Sequence, residues 1–236
     1  ADRNGRWSLL PDPVPDDTVR AHALAAQLLD RHGVLTRAVS GVEGLGERAP
    51  AVYRVLAGME EAGHVRRGYF VEHLGGSQFA LPGAVDELRN DASTLEDDRP
   101  GERPDPVVLA AADPANPYGG ALGWPTHADV AHRPGRKAGA LVVLDGGDLV
   151  LYVERGGRSL LTFTADQAAL ARAAGALATS VTRGTTGPLT LSRLDGAEVL
   201  ERAVLATPAA MALLAAGFTT TPRGLRLTPD RARARG

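Results

Sequence analysis

The stretch Val65-Arg66-Arg67-Gly68-Tyr69-Phe70-Val71-Glu72-His73-Leu74-Gly75-Gly76-Ser77-Gln78-Phe79-Ala80-Leu81-Pro82-Gly83 decides the fold of the first part of the chain. Val65 to Val71 is rich in β-forming residues, Leu74-Gly75-Gly76 supplies a turn, and Ser77 to Leu81 returns as a second strand. Pro82-Gly83 closes the hairpin, and Ala84 to Arg89 reads as a short helical turn leading away from it. Arg66 and Arg67 stand at the base of this hairpin beside Tyr69, where guanidinium groups can reach phosphates and an aromatic ring can stack on a base or sugar.

Three helical patterns precede the hairpin. Residues 16 to 33 begin with capping acids at Asp16 and Asp17 and place Val19, Ala23, Ala26 and Leu29 at helical spacing, with Leu24 and Leu28 beside them and Gly33 as the stop. Leu35 to Val39 is expected as a short second helix capped by Thr36 and ended by Gly41 and Gly44. Pro50 opens a third, whose stripe of Val52, Val55, Leu56 and Met59 leaves Arg54 facing outward. Three helices followed by a β-hairpin is the order of a winged helix, so residues 16–90 are expected to form one behind a short extension, residues 1–15. Residues 91–105 hold six acids against two arginines and are expected to be an acidic, proline-rich linker.

The remainder, residues 106–236, changes character. Val107 to Ala111 reads as a strand. Ala140 to Leu144, Leu149 to Glu154 and Ser159 to Phe163 form a meander across Asp145-Gly146-Gly147 and Arg155-Gly156-Gly157. Asp166 to about Thr179 is an alanine-rich helix, and Leu189 to Leu194 pairs with Ala197 to Leu200 across Asp195-Gly196. Thr207-Pro208 caps a further helix ending at Gly217, and Gly224 to Leu227 is a last strand. The expected class is therefore α+β: an N-terminal winged helix, then a mostly antiparallel, curved or barrel-like sheet with two flanking helices.

Composition excludes several kinds of function. There is no cysteine, so disulfides, thiolate catalysis and cysteine-ligated zinc are excluded. The longest apolar runs fall far short of the roughly 20 residues that span a bilayer, so no membrane role is expected and the setting is expected to be cytoplasmic, with the nucleoid. Lys137 is the only lysine and sits in Pro-Gly-Arg-Lys-Ala-Gly, which is no phosphate-binding loop; no nucleotide-driven motor resides here. The net charge of −2 argues against coating nucleic acid by charge alone, but residues 106–236 carry fourteen cationic side chains against ten acids. The chain opens Ala1-Asp2-Arg3-Asn4-Gly5 and is read as a piece of something longer.

Candidate chemistry concentrates in Ala112-Asp113-Pro114-Ala115-Asn116-Pro117-Tyr118-Gly119-Gly120-Ala121-Leu122-Gly123-Trp124-Pro125. Its prolines stiffen a loop that presents a carboxylate, an amide and two rings. Asp113 is the candidate catalytic carboxylate, with Asp145, Asp195 and Asp230 behind it. Asn116, Tyr118 and Trp124 are candidate DNA contacts, with Arg136 and Lys137 a little beyond. The bland alternative is structural: Asp113 and Asn116 as turn caps and Trp124 as a plug. His127, Asp129 and His132 could in principle ligate a metal, but solvated loop histidines are the better reading, and no metal or cofactor is expected.

Two strings, Val65 to Gly83 and Asp113-Pro114-Ala115-Asn116-Pro117-Tyr118-Gly119, resemble the C-terminal part of bacterial large helicase-related (Lhr) proteins. The start Gly5-Arg6-Trp7-Ser8-Leu9-Leu10 and the end Gly217-Phe218 through Arg223-Gly224-Leu225-Arg226-Leu227 fit as well. The resemblance implies a 3′–5′ DNA repair helicase as parent, with ATP and Mg confined to its motor. For this segment it implies DNA binding on single strands or tailed duplexes, contact with the rest of the Lhr chain, and homo-oligomerisation. Alanine-rich helices at 168–178 and 209–216 would be surfaces for self-association.

The family's extension also resembles AlkZ-type DNA glycosylases, built of winged helices and a β-barrel, and uracil excision is associated with it. That signature is Gln-apolar-Gln, of which Gln78-Phe79-Ala80 keeps only the first glutamine. The DNA-binding residues expected on this basis are Arg54, Arg66, Arg67, Tyr69, Gln78, Asn116, Tyr118, Trp124, Arg136 and Lys137. Three functions stay open: a DNA-binding module, a glycosylase acting on a flipped base, and a protein-interaction platform.

Overall fold

The computed structural model describes residues 8–12, 14–72, 74–96, 104–127 and 133–229. Asp230, together with Asp129 and His132, lies outside them. The chain divides into two compact units, residues 1–90 and 91–236.

In the first unit, α1 (Asp17–His32) starts at Asp16, whose carboxylate accepts from the Thr18 and Val19 amides, and stops at Gly33 with φ 66°. Its buried stripe is Ala21, Ala25, Leu28 and Leu29, rotated from the expected one: Val19, Ala23 and Ala26 face solvent. Alanine carries little transfer free energy, so Leu28 and Leu29 orient the helix and the small residues on the inner side allow close packing. Val34–Leu35 is a strand, β1, where a helix start was expected. Thr36 then caps α2 (Arg37–Val42). In α3 (Ala49–Glu61), Val52 and Leu56 are fully buried, Val55 and Met59 half-buried, and Arg54 exposed.

The wing consists of β2 (Arg66–Gly68) and β3 (Gln78–Ala80), with β3 in the middle of an antiparallel sheet of order β1-β3-β2. Both strands are shorter than the pattern suggested. The final helix, α4 (Pro82–Glu96), is longer: residues 91–96 of the expected linker are helical.

The second unit is built on a six-stranded sheet ordered β10-β9-β7-β6-β5-β4, comprising β4 (Val107–Ala110), β5 (Leu141–Asp145), β6 (Asp148–Val153), β7 (Ser159–Thr162), β9 (Arg193–Leu194) and β10 (Ala197–Glu198). All neighbours are antiparallel except β7 and β9. The β5–β6 turn has positive φ at Gly146 and Gly147, and the β9–β10 turn at Asp195 and Gly196, the geometry of two-residue hairpins. A separate sheet, β11-β12-β8, joins β8 (Leu189–Leu191), β11 (Thr219–Thr221) and β12 (Gly224–Leu227). The expected strand 189–194 is thus broken at Ser192, and its halves serve different sheets. No sheet among the described residues closes into a barrel.

Both faces of the large sheet are covered, which is why β5 and β6 read as continuous apolar runs. Val143, Leu151, Val153 and Leu160 pack with α5 (Gln167–Thr182) and α7 (Pro208–Ala215), and the one-turn helix α6 (Arg202–Leu205) joins the same core through Val204. Among the described residues three helices therefore accompany this sheet, and not two. Val142, Tyr152 and Leu161 face the other way, under Tyr118 and Trp124 of the proline-rich loop. The alanine-rich helices expected as self-association surfaces put Leu170, Ala173, Ala174, Leu177, Ala210 and Leu213 into the core.

Candidate nucleic-acid interface

Nine residues separate the two strands of the wing, too many for a tight hairpin, and the side chain of Gln78 organises them. Gln78 is fully buried. Its Oε1 accepts from the Phe70 and Val71 amides, both at 2.8 Å, and its Nε2 donates to the carbonyls of Val71 (2.9 Å) and Leu74 (3.0 Å). Every hydrogen-bonding position of that amide is in use, so Gln78 holds the wing from inside and offers it no free polar group.

What the wing displays is Arg66, Arg67 and Tyr69. Tyr69 is 84% exposed, well beyond what an aromatic needs for packing, and Arg66 is exposed. Arg67 is partly committed: its Nε lies 3.0 Å from Glu60 Oε2, and its guanidinium sits 5.2 Å from the centre of the Phe79 ring. Arg54 is exposed on α3, whereas its neighbour Tyr53 is half-buried with its hydroxyl 3.2 Å from Ser40 Oγ. Cationic and aromatic groups on a rigid hairpin next to an exposed helix face suit a phosphate backbone.

Behind the wing, Glu43 bonds to His32 Nε2 at 2.7 Å and Arg31 at 2.9 Å. The His32 hydrogen bond, helped by Arg31, holds its carboxyl below the usual carboxylate range. Its contribution to stability is present above the unfolded-state value and is lost as pH falls through the lower folded-state value.

The proline-rich loop of the second unit is a lid with its polar groups turned inward. Asn116 is buried; its Nδ2 donates to the Ala111 carbonyl at 2.8 Å and its Oδ1 accepts from the Tyr118 amide at 3.1 Å. The Tyr118 hydroxyl donates to the Gly147 carbonyl and accepts from the Leu149 amide. Tyr152 likewise donates to Gly135. Burial pushes both phenols above their usual range, so they remain donors.

Trp124 stacks on Tyr118 and meets Tyr152 edge-on. Its indole lies so close to Gly119 (φ 72°) that a Cβ there would fall 2.3 Å from Nε1. Arg136 pins the loop by donating to the carbonyls of Asn116 (2.6 Å) and Asp113 (2.9 Å) and, more loosely, to those of Ala112 and Tyr118. Lys137 lies 3.6 Å from Glu154 and remains half exposed. Of the contacts expected in this region, Asn116, Tyr118, Trp124 and Arg136 hold the loop together, Asn116 and Tyr118 being buried and Trp124 and Arg136 partly exposed.

The candidate carboxylates differ sharply. Asp113 is partly exposed and accepts from the Ala115 amide at 2.8 Å. Asp145 is buried in a two-pronged pair with Arg172 at 2.9 and 3.1 Å. Asp195, the only non-glycine residue with positive φ among the described ones, accepts from the amide (2.7 Å) and hydroxyl (2.9 Å) of Thr162 and contacts His127 Nε2 at 3.2 Å. That His127–Asp195 contact spans 68 residues, and sequence spacing gave no sign of it. No group of ligands suited to a metal occurs among the described residues.

A winged helix followed by an open α+β unit, with cationic side chains on a braced wing, defines the class: a winged-helix protein. Residues 14–100 match the family described as the large helicase-related protein winged-helix domain. The chain is 54% identical over 226 residues to a Mycolicibacterium smegmatis protein named "Lhr helicase/ probable uracil glycosylase", a match that covers 95% of this chain and 15% of that protein. It is 39% identical over 222 residues to the Escherichia coli K12 "Lhr helicase/uracil glycosylase", covering 94% of this chain and 14% of that protein. The chain belongs to the Lhr family and spans about one-seventh of the length of these relatives.

Proposed function

We propose that this chain is a DNA-contacting segment of a Lhr-type 3′–5′ repair helicase, engaging single strands or tailed duplexes through its wing. The observation that carries the reading is the pairing of a buried, fully bonded Gln78 with an outward Arg66, Arg67 and Tyr69. ATP and Mg serve the motor elsewhere in the parent, and the rest of the Lhr chain is a partner. Of the two alanine-rich helices, α5 turns its leucines and most of its alanines into the core, whereas α7 leaves Met211 exposed.

The test is binding of a fluorescent single strand as salt is varied. For a single strand, each phosphate that the protein ceases to neutralise lowers the slope of log K against log salt by about 0.7, so Arg66→Ala/Arg67→Ala should reduce it by up to about 1.4 units. Arg66→Ala should account for the larger share, because Arg67 is already paired with Glu60. An unchanged slope removes the wing from the interface.

A second reading is favoured by the names of both relatives, which include uracil glycosylase. Asp113 is then the proposed carboxylate, being more accessible than Asp145 and less heavily bonded than Asp195.

A further inference from the structure

Two adjoining hollows of about 530 and 350 Å³ open on the small sheet of the second unit, sharing Thr190 and Arg223. One wall is the β6–β7 turn, carrying Arg158; the other is the β11–β12 turn, carrying Arg223; and Arg226 projects from β12 opposite Thr190 of β8. All three arginines are exposed, none has an ion pair among the described residues, and no carboxylate lines either hollow.

Glycines fix both walls. Gly157 has φ 66°, and a Cβ on it would fall 2.7 Å from Leu189. Gly224 has φ 125°, and a Cβ on it would fall 1.9 Å from the Leu191 carbonyl oxygen. At Gly224 a side chain would meet backbone, so the turn carrying Arg223 cannot change residue there without moving; at Gly157 the positive φ favours glycine and the end of the Leu189 side chain would have to give. The Arg158 carbonyl, which accepts from the Ser192 and Arg193 amides, ties the first wall to the floor. The Ser192 hydroxyl donates to that same carbonyl, and the Thr221 hydroxyl donates to the Gly224 carbonyl and accepts from the Arg223 amide, which braces both turns. The Thr190 hydroxyl has no partner among the described residues.

We infer that this groove binds the sugar–phosphate backbone of a DNA strand. Three guanidinium forks, without ion pairs among the described residues, line one depression and each can take a phosphate. The lining contains no aromatic ring on which a base could stack, so the contact positions the strand and does not read it. The inference rests on the DNA-contacting reading above and adds a second site, in a different unit from the wing.

The experiment measures single-strand binding against salt for four proteins: the unaltered chain, Arg158→Ala/Arg223→Ala/Arg226→Ala, the charge-matched control Arg20→Ala/Arg89→Ala/Arg202→Ala, and Thr190→Tyr. Each is checked for cooperative melting. The groove variant should bind about tenfold more weakly near 0.1 M salt and lose about 2 units of slope, with the control nearly unchanged. Thr190→Tyr, which fills the groove without altering charge, should also weaken binding. Equal loss in the control, or full affinity in both groove variants, overturns the groove while leaving the wing standing. Absence of binding by the unaltered chain overturns both readings. Competition by polyglutamate as effective as that by an unlabelled strand would overturn the assignment to phosphodiesters.

Discussion

One carboxylate oxygen of Asp113 accepts from the Ala115 amide while Arg136 holds the carbonyl of the same residue. An asparagine can make the same turn, so Asp113→Asn removes charge and little else. If the segment excises uracil through Asp113, that change should slow single-turnover excision about a hundredfold at saturating DNA, because a fixed carboxylate beside developing positive charge contributes a few kcal/mol. Binding should be nearly unaffected. Asp145→Asn is a poor comparison, since it disturbs a buried ion pair with Arg172, whereas Asp195→Asn alters a half-exposed hairpin turn. Excision by Asp113→Asn equal to that of the unaltered chain would make the loop purely structural. Residues of this kind were legible by type but not by role: Gln78 and Asn116 look like surface contacts in sequence, and only the backbone groups that surround each of them show otherwise.

At the scale of elements, the hairpin turns, the caps at Asp16, Thr36 and Thr207, and α3 with Val52 and Leu56 inward were readable, because local chemistry dictates them. The two-residue β1, the strand β11 and the split at Ser192 were not, since each depends on a partner far along the chain. The same non-local pattern fixes the wing, whose loop leans on one side chain. Gln78→Ala should leave α1 and α3 folded, cost about 2–4 kcal/mol locally and accelerate amide exchange at Phe70 and Val71 more than tenfold. Gln78→Glu keeps the two acceptances but turns a buried carboxylate oxygen toward the Val71 and Leu74 carbonyls, so its effect should be at least as large. DNA binding should weaken in the same order. Unaltered protection at Phe70 and Val71 in Gln78→Ala would mean that the strands, and not the glutamine, hold the loop.

The whole molecule carries a net charge of −2, yet some of its cationic side chains stand together, on the wing of one unit and in the groove of the other, while six acids fall within residues 91–105. The acids disfavour a strand lying along that segment, so on the proposed reading the wing and the groove contribute as separate sites. Each has its own core, and fragments 8–96 and 104–236 should each melt cooperatively. Joining two weak sites makes the second contact intramolecular, with an effective concentration commonly in the millimolar range, provided that the strand is long enough to reach both. The intact chain should therefore bind a strand of about 30 nucleotides at least tenfold more tightly than an equimolar mixture of the two fragments does. On a strand of about 6 nucleotides it should do no better than the stronger fragment. Its salt slope on the long strand should approach the combined slopes of the two fragments, because both sets of counterions are released together. If the mixture matches the chain on the long strand, only one unit holds DNA, and the fragment that retains the affinity identifies whether wing or groove is the working surface.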